Sequence, residues 1–158
     1  MDKLLSAFDR SFISLDTRSR QLLAKLPENK LFLKPREIAN SMAIFSCGEY
    51  ILRSAAMVEK TFGGITTRLW DDPFEWTLPE KLFDRNAVFA YLDEVEKTRV
   101  LGFSYFKSDD DLLREMPSPE RLRPIIDILL EAIGKAEHFQ GRAFAVFQMI
   151  SDEKPPRM

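Results

Sequence analysis

Ile125-Ile126-Asp127-Ile128-Leu129-Leu130-Glu131-Ala132-Ile133-Gly134-Lys135-Ala136-Glu137-His138-Phe139-Gln140-Gly141-Arg142-Ala143-Phe144-Ala145-Val146-Phe147 is the stretch that decides the fold. Its apolar residues do not alternate. With Leu122 just before it, Ile125, Leu129, Ile133, Ala136, Ala143, Phe144 and Phe147 make a stripe at helical spacing. Ser118-Pro119-Glu120 supplies a cap followed by a first-turn proline, so the spacing predicts that this helix opens there. Pro124 still lies within its first turns, where a missing N–H is tolerated.

Upstream, the same repeat recurs three times. Val88, Leu92, Val95, Gly102 and Phe106 predict a third helix from about Asn86 to Lys107, with Asp84 or Asn86 as cap. A short helical turn is expected over Ser108 to Leu113. Ile38, Met42, Phe45, Leu52 and Ala56 predict a second helix from Pro35 to a stop at Gly63-Gly64. It is apolar nearly all round, as a helix packed on several sides would be. Leu4, Phe8, Phe12, Leu15, Leu22 and Leu26 predict a first helix from Asp2 to Lys25, ended by Pro27. No strand is required. The expectation is an all-α four-helix bundle over residues 1–150, with a frayed polar tail at 151–158. Residues 64–83 form the long connection and carry both tryptophans. Either Trp70, Phe74 and Trp76 cap the open end of the core, or the loop is a functional lid.

Composition narrows the function classes. The chain has 158 residues, 45% of them hydrophobic and 30% charged, as one globular domain does. Lys and Arg number 23 against 25 Asp and Glu, which argues against nucleic-acid binding. The lone Cys47 excludes an intramolecular disulfide and a multi-cysteine zinc site. The lone His138 excludes metal sites built from two or more histidines of one chain. The N-terminus lacks the apolar run of a signal peptide, and no stretch approaches the roughly 20 apolar residues of a membrane span. A reduced, cytoplasmic setting without membrane contact is expected. There is no phosphate loop, GxGxxG, HExxH or GxSxG pattern.

Bundle sites are built from polar side chains that project inward. On the helical wheels, Glu49 falls among Met42, Phe45, Leu52 and Ala56, with Arg53 four residues on. Arg99 falls in line with Val88, Leu92 and Val95, and Gln140 with Leu129, Ile133 and Phe147. A charge facing a core is costly unless paired, so the four are expected to form one network. That network is either a ligand pocket, with Arg53 or Arg99 receiving an anion, or an ion pair that fixes the packing. His138 falls on the polar side of its helix, near Asp127, Glu131 and Arg142, where it is either a solvated surface residue or a general base. Cys47 reads as a buried, inert thiol.

Taken together, the pattern resembles the DinB/YfiT-like superfamily of bacterial four-helix bundles. The likeness runs from about Leu4 to Ile150. It rests on Leu26-Pro27-Glu28, Lys34-Pro35-Arg36-Glu37-Ile38, Gly48-Glu49-Tyr50-Ile51-Leu52, the tryptophan loop, and Ile128 to Ile133 running into Ala136 to Arg142. The resemblance implies a DinB-like bundle, a homodimer, and a divalent-metal site made by one histidine on the second helix and two on the fourth. Some members are transferases that use low-molecular-weight thiols. Aligned on Gly141, this chain puts Lys135 and Phe139 at the two fourth-helix positions, and the second-helix position falls near Ile44. None is a metal ligand, so the usual metal site and its thiol chemistry are not carried over.

Three functional expectations follow. The first is a metal-free bundle with an interior polar pocket for a small, anionic molecule, built from Glu49, Arg53, Arg99, Gln140 and His138. The second is a metal-dependent or thiol-dependent transferase-type enzyme with a remodelled site, in which Glu49, His138 and Glu137 or Glu131 hold zinc, nickel or manganese or act as acid and base. The third is a structural dimer module without ligand. The homodimer expectation has its own motive in the apolar second helix, whose excess face a second copy would bury.

Overall fold

A computed structural model describes residues 2–35, 44–73 and 84–157. Its helices are α1 (Lys3–Lys25), α2 (Cys47–Thr67), α3 (Arg85–Ser104) and α4 (Ile125–Ile150). Two single-turn 3₁₀ helices, Glu28–Lys30 and Asp109–Leu113, lie between them. The structure is 72% helical, roughly twice the share of an average globular protein, and so all-α in class.

Strands β1 (Glu115–Pro117) and β2 (Leu122–Pro124) correct the expectation that none is needed. They pair antiparallel with Met116 opposite Arg123. Ser118 closes the hairpin, because its N–H and its hydroxyl both donate to the Arg121 carbonyl, at 3.0 and 2.5 Å. The serine that reads as a helix cap therefore caps a turn. As a result α4 begins at Ile125 rather than Ser118, and Pro124 precedes the helix.

The second helix also differs from the expected span. Ser46 is extended and caps α2: its hydroxyl accepts from Glu49 N, and the Glu49 carboxylate accepts from Ser46 N. A helix running unbroken from Pro35 is thus stopped at residues 44–46, and the expected turns over 36–43 lie outside the described residues. At the other end, α2 passes through Gly63 and Gly64 and ends at Arg68, whose φ of 66° is left-handed. Gly64 is spent on packing, since a Cβ there would overlap the indole of Trp70. Helix α3 ends at Ser104, short of Lys107, because the Asp111 carboxylate takes the N–H groups of Lys107 and Ser108 into the following 3₁₀ turn.

Cross-chain contacts fix the directions. Arg18 pairs with Glu137, and farther along Lys25 and Lys30 donate to the Lys154 and Ile150 carbonyls, so α1 and α4 run parallel. Cys47 meets Ala143 and Ser54 meets Ala136, so α2 runs against α4. Arg99 pairs with Asp9 and Arg85 with Glu28, so α3 runs against α1. Consecutive helices α2 and α3 are therefore parallel, and residues 68–84 must return the length of a helix, about 30 Å for 20 residues. This is the physical reason for the long connection. Trp70 packs against the core within it, and Trp76 lies outside the described residues.

Helix α2 is the central element. Phe62 stacks edge-on against Phe12 of α1 at 5.1 Å and lies against Phe103 of α3 at 5.1 Å. Its opposite side meets α4, and Leu31 closes over Gly48. The apolar surplus that motivates a homodimer is thus used within the chain. Among the described residues no helix is long and apolar enough to cross a membrane.

Candidate functional site

The five residues singled out from the wheels separate into four regions. Arg99 is 7% exposed and pairs with Asp9 across the α1–α3 contact. Gln140 is fully buried between α1 and α4; its amide nitrogen donates to the Leu15 carbonyl at 2.7 Å and the Ser19 hydroxyl at 2.8 Å. Glu49 belongs to the α2 capping box. Only Arg53 and His138 share a surface, a groove between α2 and α4. Arg53 stacks its guanidinium on the Phe45 ring at 4.0 Å, and exposed His138 meets the Phe139 ring at 5.6 Å. The wheels find the buried polar residues Arg99 and Gln140. They do not find their partners, which come from α1.

The groups offered for a remodelled metal or acid–base centre are likewise apart. Glu137 is held by Arg18 at 2.5 Å, and Glu131 by Arg123 at 2.5 Å and by Lys135. Among the described residues, no three His, Cys, Asp or Glu side chains converge closely enough to hold a metal ion. Ile44 precedes α2 instead of lying on it, and across from Lys135 and Phe139 stand Arg53, Met57 and Lys60. Cys47 is fully buried, its thiol donates to the Ala143 carbonyl at 3.4 Å, and burial pushes its pKa up to about 12.

Among the described residues, the groove gathers several charged side chains from α2, α4 and the hairpin. It consists of two hollows, of about 400 and 390 Å³, which share Met57, Lys60 and Lys135. The first reaches the hairpin and is bounded by Trp70, Arg121 and Arg123. The second reaches Arg53, Asp72 and His138. Each part has a local cause. Arg53, Met57 and Lys60 follow one another at helical steps and share one side of α2. The Ser118 turn swings Arg121 and Arg123 to the groove mouth. Lys135 stands one turn beyond Glu131 on α4.

Among the described residues, five cations line the two hollows against three carboxylates, Asp72, Glu120 and Glu131. Glu131 serves two of those cations at once. The hydrogen bond from Lys135, then that from Arg123, hold its carboxyl below the ordinary 4.5. Lys60 is half-buried and makes no ion pair or hydrogen bond among the described residues. Sequence reasoning missed Lys60, Arg121 and Arg123. The step from Arg53 to Lys60 was the available signal on α2. The two arginines had none, because their placement depends on the hairpin.

Neither a protein-family model nor a curated protein matches the chain.

Proposed function

We propose that the chain is a DinB-like bundle that binds a small anionic molecule in the groove between α2 and α4. The observation that carries this reading is Lys60. Lys60 lies partly buried on the groove wall with no ion pair among the described residues, so its charge is available to a ligand. An anion seated between Lys60 and Lys135 meets both charges, and Arg123, already paired with Glu131, adds positive charge at the same hollow. The resemblance supports the same place. Lys135 and Phe139, which stand where DinB-like proteins carry metal-binding histidines, both line this groove. A cationic site there exchanges a metal for the anion's own charge partner.

The groove offers binding and orientation, and no nucleophile or base within it is assigned a reaction. Carboxylates and phosphates both satisfy two ammonium groups and a guanidinium. The test is isothermal titration with inorganic phosphate at low ionic strength, on the native chain and on Lys60→Gln. Binding should be present, should weaken as salt rises, and should fall at least tenfold in the variant. The same phosphate should raise the melting temperature of the native chain, since a ligand of the native state stabilises it. Equal affinity in both proteins would move the anion away from Lys60 and end this reading.

A further inference from the structure

The hollow nearest the hairpin is only half polar. Trp70, Met57 and Ile128 give it an apolar floor beside Lys60, Lys135 and Arg123. The indole is held there by a specific device. A Cβ on Gly64 would overlap three consecutive carbons of the six-membered ring of Trp70. Overlap with three ring atoms at once means that the ring lies face-on over the Gly64 backbone. Glycine inside a helix costs stability relative to alanine, so the close approach has a use that offsets it. With one face against α2, the partly buried indole also borders the hollow.

We infer that the anion taken by this groove is aromatic: a flat ring stacks on Trp70 while its carboxylate or phosphate sits between Lys60 and Lys135. This rests on the anion-binding reading and adds the chemical class of the ligand. A bare inorganic ion uses only the cations and leaves the floor of Trp70, Met57 and Ile128 wet. A ring carrying an anionic group uses both. Stacking on an indole is tolerant of ring type, so it selects flat ligands without selecting one molecule. The volume, about 400 Å³, suits a small ring compound and is at the low end for organic ligands generally.

The experiment compares matched pairs on the full chain by titration calorimetry: inorganic phosphate with phenyl phosphate, and acetate with benzoate. The ring should tighten binding at least tenfold in one pair, and that pair identifies the head group as phosphate or carboxylate. In Trp70→Leu the gain from the ring should disappear while inorganic phosphate still binds. Phosphate binding with less than a twofold gain from the ring in both pairs would overturn the aromatic assignment and leave the anion site standing. Loss of binding for all four probes would overturn both. If Trp70→Leu fails to fold, the comparison on the native chain still decides.

Discussion

Arg99→Met should destabilise the protein sharply, and the structure sets the size of the effect. The Arg99 side chain is 8% exposed and that of its partner Asp9 is 19% exposed. Removing the guanidinium leaves the carboxylate in a site it can only partly hydrate. Breaking a fully buried pair costs about 3–5 kcal/mol; because Asp9 keeps some contact with water, the low end applies, about 3 kcal/mol. For a domain of this size that is a fall in Tm of roughly 9 °C. Urea denaturation followed by far-UV circular dichroism reads it directly. The double variant Asp9→Asn with Arg99→Met should lose at least about 1 kcal/mol less than the two single losses added together, because no orphaned charge remains. Arg99→Met with Glu49→Gln should be additive, since those groups sit roughly 15 Å apart along the bundle by helix rise. A single cost under about 0.5 kcal/mol for Arg99→Met, or strict additivity with Asp9→Asn, would refute the reasoning, since exposed pairs behave that way.

Three further outcomes are expected. Ser46→Ala removes the hydroxyl that accepts from Glu49 N and should cost about 1 kcal/mol in the same denaturation assay. Cys47, its pKa raised to about 12 by burial, should resist a thiol-specific chromogenic reagent at pH 8 in the native protein and react fully once unfolded. Glu131 has a folded pKa held below 4.5 by Lys135 and Arg123, so its contribution is present above that pH and is lost as pH falls through the folded value. A plot of Tm against pH should therefore fall less steeply on the acid side in Glu131→Gln than in the native chain.

Helical spacing made the four long helices legible, because one buried stripe per helix is a local property of the chain. The interruptions were less so. Ser46 and Glu49 form a readable capping box, yet the apolar residues on both sides of it suggest a continuous helix. Ser118-Pro119-Glu120 has the composition of a helix start, and only the Arg121 carbonyl, reached by folding back, decides for a hairpin. Gly63 and Gly64 read as a stop; the weight of Trp70 against α2, set by the returning connection, makes Gly64 an interior residue. The candidate site follows the same division. Burial of Arg99 and Gln140 is visible from their own helices, whereas Asp9, Leu15 and Ser19 become their partners through tertiary contact. Lys60 is marked in the sequence only by its helical step from Arg53. It stands out when the structure places it in one groove with Arg53, Arg123 and Lys135 and, among the described residues, with no carboxylate paired to it.

The most direct test of the account is where an anion lands on the protein. Inorganic phosphate should be titrated into the isotope-labelled chain while backbone amide shifts are followed by NMR. The account predicts saturable shifts centred on Met57 to Thr61, Arg121 to Arg123 and Glu131 to Lys135. Shifts that do not saturate, or that centre on the α1–α4 surface around Arg10 and Arg18, would contradict it.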